Sequence, residues 1–149
     1  MSMTAVPKAA QRLAFAGALP FVAGALGVWL LPGERGLWAG FALQTYGAVI
    51  LSFLGGIHWG LAMAGTRDGT PDARQFGASV VPSLLGWVAL LLPQPAGLVL
   101  LAFGFVSQFL YDRRAAARGF APAWYPALRQ PLTIVVVFCL AVAALGRTL

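Results

Sequence analysis

His58 is the one histidine in this chain, and it stands in Gly56-Ile-His-Trp-Gly60, well inside a long apolar stretch. An imidazole among hydrocarbon neighbours suits three chemistries: a ligand contact, a proton relay, or an axial bond to a haem iron. The structural alternative is a ring that bonds a carbonyl or hydroxyl and only fixes packing. Few polar side chains are available to join it. Gln108 and Asp112 lie one helical turn apart, as do Arg129 and Thr133, so each pair shares a helix face. Asp112 and Arg129 can therefore meet across two antiparallel helices. With Ser83, and with Trp59 and Tyr125 as amphipathic neighbours, these residues compose a candidate ligand pocket: His58, Trp59, Ser83, Gln108, Asp112, Tyr125, Arg129 and Thr133. Catalytic residues cannot be named from so sparse a set. There is no second histidine and no cysteine cluster, so a metal site lacks ligands, and no glycine-rich phosphate loop occurs.

The elements that must hold these residues follow from composition. Of the 149 residues 60% are hydrophobic and 9% charged, and the mean hydropathy is +0.82; soluble domains carry about a quarter charged residues. The expected fold is therefore all-α, an integral membrane bundle of five transmembrane helices in a single domain over 1–149. The spans are expected at about 13–31, 37–65, 76–92, 96–111 and 131–146, with Pro131 at a first helical position. Continuous rather than alternating apolar runs favour helices over barrel strands. Lys8 and Arg12 ahead of the first run would suit a signal peptide, but the run reaches spanning length without a small-x-small cleavage site, so an uncleaved helix is expected.

Ten basic residues give a net charge of +6. They fall between the apolar runs, which points to topology signals and lipid headgroups rather than to nucleic acid. Lys8, Arg12, Arg67, Arg74, Arg113, Arg114, Arg118 and Arg129 lie on one side, against Arg35 and Arg147 on the other. That asymmetry predicts a cytoplasmic N-terminus and an outer C-terminus. Cys139 lies in the last run without a disulfide partner and is expected to be inert. In the second run Ala48, Ser52, Gly56, Gly60 and Ala64 repeat every four residues, as a small-residue ridge that seats a neighbouring helix would.

The stretch Tyr46-Gly-Ala-Val-Ile-Leu-Ser-Phe-Leu-Gly-Gly-Ile-His-Trp-Gly60 closely resembles domain-of-unknown-function family 3429, a family that includes a mitochondrial transmembrane protein. Gly17-Ala-Leu-Pro-Phe21, Ser79-Val-Val-Pro-Ser-Leu-Leu-Gly-Trp87 and Tyr125-Pro-Ala-Leu-Arg-Gln-Pro-Leu-Thr133 reinforce the resemblance. It implies a multi-pass protein of the bacterial inner (plasma) membrane or its mitochondrial equivalent, and implies no activity. Five helices in a chain of this length are also similar to the tryptophan-rich sensory protein and translocator family, whose tryptophan-proline loop motifs are absent here.

The functional expectation is a binding or accessory protein. It would hold a lipid, quinone or tetrapyrrole such as haem, or support assembly of membrane-complex subunits. A proton-coupled transporter or channel subunit, and a membrane enzyme acting on a lipid-soluble substrate, are the alternatives. The lack of an inverted repeat weighs against transport, and the sparse polar set against catalysis.

Overall fold

The computed structural model describes residues 5–65 and 73–147; the stretch 66–72, with Arg67, lies outside the described residues. Within them the chain forms five helices: α1 (Lys8–Leu30), α2 (Glu34–Ala64), α3 (Ala73–Leu91), α4 (Gln94–Ala117) and α5 (Tyr125–Gly146). Four of these, α1, α2, α4 and α5, are long and apolar enough to cross a membrane. Helix α2 touches α1, α3 and α4, and α5 packs between α1 and α4. The core at the bundle's centre is built from Phe21, Leu43, Leu51, Leu98, Leu101, Phe105 and Leu140, all essentially inaccessible.

The first four helices begin two to five residues before the expected positions, and two boundaries differ most. Helix α4 continues to Ala117 rather than ending at 111, and stops at Gly119, whose φ of 77° admits the left-handed turn. The bonds Phe120 N–H to Ala115 O and Gly119 N–H to Ala116 O close it as a Schellman motif. Helix α5 starts at Tyr125 rather than 131, so Pro126 occupies its first turn and Pro131 lies inside the helix. Charge and proline suggested loop over 112–130. The helices continue because Asp112 and Arg129, once paired, need not leave the bundle.

The predicted ridge on α2 is also corrected. A side chain at Gly56 or Gly60 would meet nothing within 4 Å, and Gly56 and Ala64 are exposed. A strict four-residue repeat advances about 40° per step around a helix of 3.6 residues per turn, so the stripe winds off the contact face. The buried face follows Ala48, Leu51, Gly55, His58 and Ala62, in alternating steps of three and four. Gly55 is where α3 comes closest: a Cβ there would collide with the Ser79 carbonyl and press on Pro82. Opposite Ala48, Gly86 of α3 makes the second close approach, with the Ala48 carbonyl 3.0 Å from the place a Cβ would take.

Neighbouring glycines on α2 are thus expected to differ sharply. Gly55→Leu should destabilise by at least about 3 kcal/mol, since backbone stands in the way. Gly56→Leu should be neutral or stabilising by up to about 1 kcal/mol, from helix propensity alone. Thermal melting of the two variants in the same detergent checks this.

Candidate functional site

The site is built at one end of the bundle, where the last turns of α2 and α4 lie beside the first turns of α5. His58 is on the buried face of α2 just described. Asp112 follows Gln108 by one turn on the inner face of α4, and Arg129 projects from the second turn of α5. Asp112 is fully buried, while His58, Gln108, Arg129 and Thr133 are each 5% exposed.

The Asp112 carboxylate is the hub. Its Oδ1 accepts from His58 Nε2 at 2.6 Å and from Gln108 Nε2 at 3.0 Å; its Oδ2 accepts from Arg129 Nε at 2.9 Å. Three helices therefore converge on one side chain. Because Oδ1 is taken by two donors, Arg129 cannot make the two-pronged contact that guanidinium and carboxylate otherwise favour. Among the described residues its NH2 nitrogen is left buried without a partner, as are the Tyr125 hydroxyl and Thr133 Oγ1. The His58 ring is further braced by Tyr111, edge-on at 4.7 Å, and by Tyr125 at 6.3 Å.

Of the residues expected in the pocket, His58, Gln108, Asp112, Tyr125 and Arg129 are brought together, with Thr133 one turn beyond Arg129. Two are not. Trp59 is 44% exposed and packs edge-on against Phe76 of α3, because consecutive residues on a helix point about 100° apart. Ser83 is half-buried on α3, one residue beyond Pro82, which is seated at Gly55.

Alongside the polar hub runs a cavity of about 550 Å³ between α1, α2 and α5. Ala14 and Gly17 of α1, Ile57 of α2 and Leu132 of α5 contribute to its walls, and the lining reaches Tyr125 and Arg129 at the hub. Leu13 and Phe53 at its rim are exposed, so it opens onto the outer surface of the bundle. Sequence reasoning missed this feature, and with it Phe105 and the α1 residues. The available signal was the run of small residues Ala10, Ala14, Gly17 and Ala18 on one face of α1.

Membrane-length apolar helices around a buried, hydrogen-bonded carboxylate define a helical membrane protein with a polar centre inside its bundle. The chain belongs to the family described as protein of unknown function (DUF3429), which it matches over residues 6–145. It is 40% identical over 141 residues to Transmembrane protein 69 of Xenopus tropicalis, covering 90% of this chain and 53% of that protein. It is 29% identical over 129 residues to Transmembrane protein 69 of Mus musculus, covering 87% and 52%. The chain thus spans about half the length of the curated relatives it matches. No solved structure matches it.

Removing the hub strands its partners. Asp112→Ala should cost about 3–5 kcal/mol, the range for breaking a buried ion pair from one side. Adding Arg129→Met removes the orphaned cation and should restore part of the loss. Melting temperatures of the parent, both single variants and the double variant complete the cycle; purely additive losses would mean that the contact carries no coupling.

Proposed function

We propose that this protein is a membrane-embedded binding protein, with a lipid-soluble small molecule held in the groove between α1, α2 and α5. The observation that carries this reading is an almost wholly apolar cavity of about 550 Å³ whose lining reaches the polar hub at Tyr125 and Arg129. Small-molecule sites combine the same two ingredients, in volumes of about 300–1,000 Å³. His58, Gln108 and Asp112 then act at one remove, by fixing the Arg129 guanidinium. Support of a larger membrane complex remains the second role foreseen from the sequence, and the groove speaks for a ligand instead.

The reading also includes five spans in a bacterial inner membrane, with the site towards the cytoplasm. Helix α3 shows an apolar outer face through Val80, Val81, Leu84, Trp87 and Leu91, all exposed. That supports a fifth crossing by a helix of 19 residues, although α3 is less apolar over a membrane-length stretch than the other four. Among the described residues Lys8, Arg12, Arg74, Arg113, Arg114, Arg118 and Arg129 lie at the site's end, and Arg35 and Arg147 at the other. Positive charge is retained on the cytoplasmic side.

Two experiments test these proposals. Purified full-length chain should retain a small molecule detectable by mass spectrometry, and Ala14→Trp, which fills the groove, should lose it while melting like the parent. Equal retention by both, or none by the parent, would refute the binding role. With Cys139 replaced by alanine, Glu34→Cys should react with a membrane-impermeant maleimide from outside intact cells, and Arg118→Cys only after permeabilisation. The reverse pattern would invert the topology.

A further inference from the structure

We infer that a recess at the opposite end of the bundle, bordered by Glu34, Trp38 and Phe41, holds the ammonium head of a zwitterionic phospholipid. This recess shares no lining residue with the groove beside Tyr125 and Arg129. Glu34 opens α2, and Trp38 and Phe41 follow it at helical spacing, so the three stand on one face at successive turns. With Leu37, and with Gln94 of α4, they border a space of about 380 Å³. Gln94 closes its floor: Nε2 donates to the Leu37 carbonyl at 2.9 Å, while Oε1 is buried towards Gly40 and offers a ligand nothing. The groups left to meet a ligand are the Glu34 carboxylate and two aromatic rings, all exposed.

These groups select a cation. Of the four acidic residues in the chain, Asp68 and Asp72 lie outside the described residues, Asp112 is the hub, and Glu34 stands at this end. Among the described residues no ion pair or side-chain hydrogen bond involves Glu34. An acid in a first turn does favour the helix dipole, but that role asks nothing of its neighbours. Here Trp38 and Phe41 stand with their planes at 87° and their centroids 5.7 Å apart, so the corner between them is walled by two ring faces. Ring faces attract cations, and aromatic cages recognise substituted ammonium groups. What surrounds the recess points to a lipid as the source. Leu37 is exposed beside it, and Phe41 lies about 10 Å further along α2 than Glu34, towards the apolar middle of the span, where acyl chains run. Arg147 and Gln94 both lie against Gly40, and Arg35 follows Glu34, so guanidinium groups stand at the same level for the phosphate of the same molecule. A phosphatidylglycerol head would use the guanidinium groups and leave the carboxylate and the rings without a partner.

The test uses the full chain in nonionic detergent and reads rises in melting temperature on adding lipid, which follow affinity by mass action. The probes are phosphatidylethanolamine, phosphatidylcholine and phosphatidylglycerol with identical acyl chains, and free ethanolamine. At least one ammonium lipid should act at a concentration about fivefold below phosphatidylglycerol, the worth of an exposed charge pair together with a cation–π contact. Glu34→Gln and Trp38→Leu change exposed side chains. Each should melt like the parent without lipid and lose most of the preference. Ala14→Trp, which fills the groove at the other end, should keep it. The three lipids acting alike on the parent chain, or a preference that survives Glu34→Gln, overturns the inference and leaves the groove reading intact. Free ethanolamine acting as strongly as its lipid overturns the assignment to a phospholipid.

Discussion

The structure turns on one carboxylate held away from water. Asp112 has no exposure and three donors, one from its own helix and one each from α2 and α5. A charge placed in hydrocarbon is tolerated only when it is paired and fully hydrogen-bonded. That requirement reaches outward through the bundle. It sets the rotation of α2, because His58 must face inward. It also sets the depth of α5 against α4, because Arg129 must arrive beside Asp112. Apolar side chains alone would allow these helices to slide or turn past one another at small cost, whereas the polar hub admits one register.

Close packing supplies the force that the hub directs. In lipid, helices gain little from hiding apolar surface and associate through contact and hydrogen bonds. Gly55 and Gly86 bring α2 and α3 to backbone contact. At the far end Gln44 donates to the Ala89 and Leu92 carbonyls where α3 finishes, and Trp29 Nε1 ties α1 to the Val142 carbonyl of α5. The two ends are thereby fastened by different means: side chain to backbone at one, and side chain to side chain around Asp112 at the other.

The helical class, the element order and most of the hub were legible in the sequence for one physical reason. In a chain with 9% charged residues, each polar group inside an apolar run needs a partner, and the candidates are few. Helix direction and turn spacing then bring Gln108, Asp112, Arg129 and His58 to one end. What was not legible depended on shape or phase. Helix ends were read at charges and prolines, although pairing keeps Asp112 and Arg129 within helices. The ridge through Gly56 and Gly60 failed because a repeat of four drifts around a helix, while the packed face alternates threes and fours. Trp59 was drawn into the pocket by its neighbour in sequence, which on a helix is not a neighbour in space.

The groove was the least legible feature, because no polar signal marks it and its cause is a deficiency of volume. On α1 the buried residues are Ala18, Phe21, Ala25 and Val28, and none precedes Ala18. The half of the helix before Pro20 carries Ala10, Ala14 and Gly17 on the face towards α2 and α5, where larger side chains would have closed the gap. Pro20 removes a backbone hydrogen bond at the point where burial begins. The same small face would serve tight packing had α1 been drawn in against its neighbours; instead it borders open space beside Arg129 and Tyr125. The groove and the hub are thus neighbours by one arrangement of volume: small residues on α1 face the end of the bundle where Tyr125 and Arg129 stand.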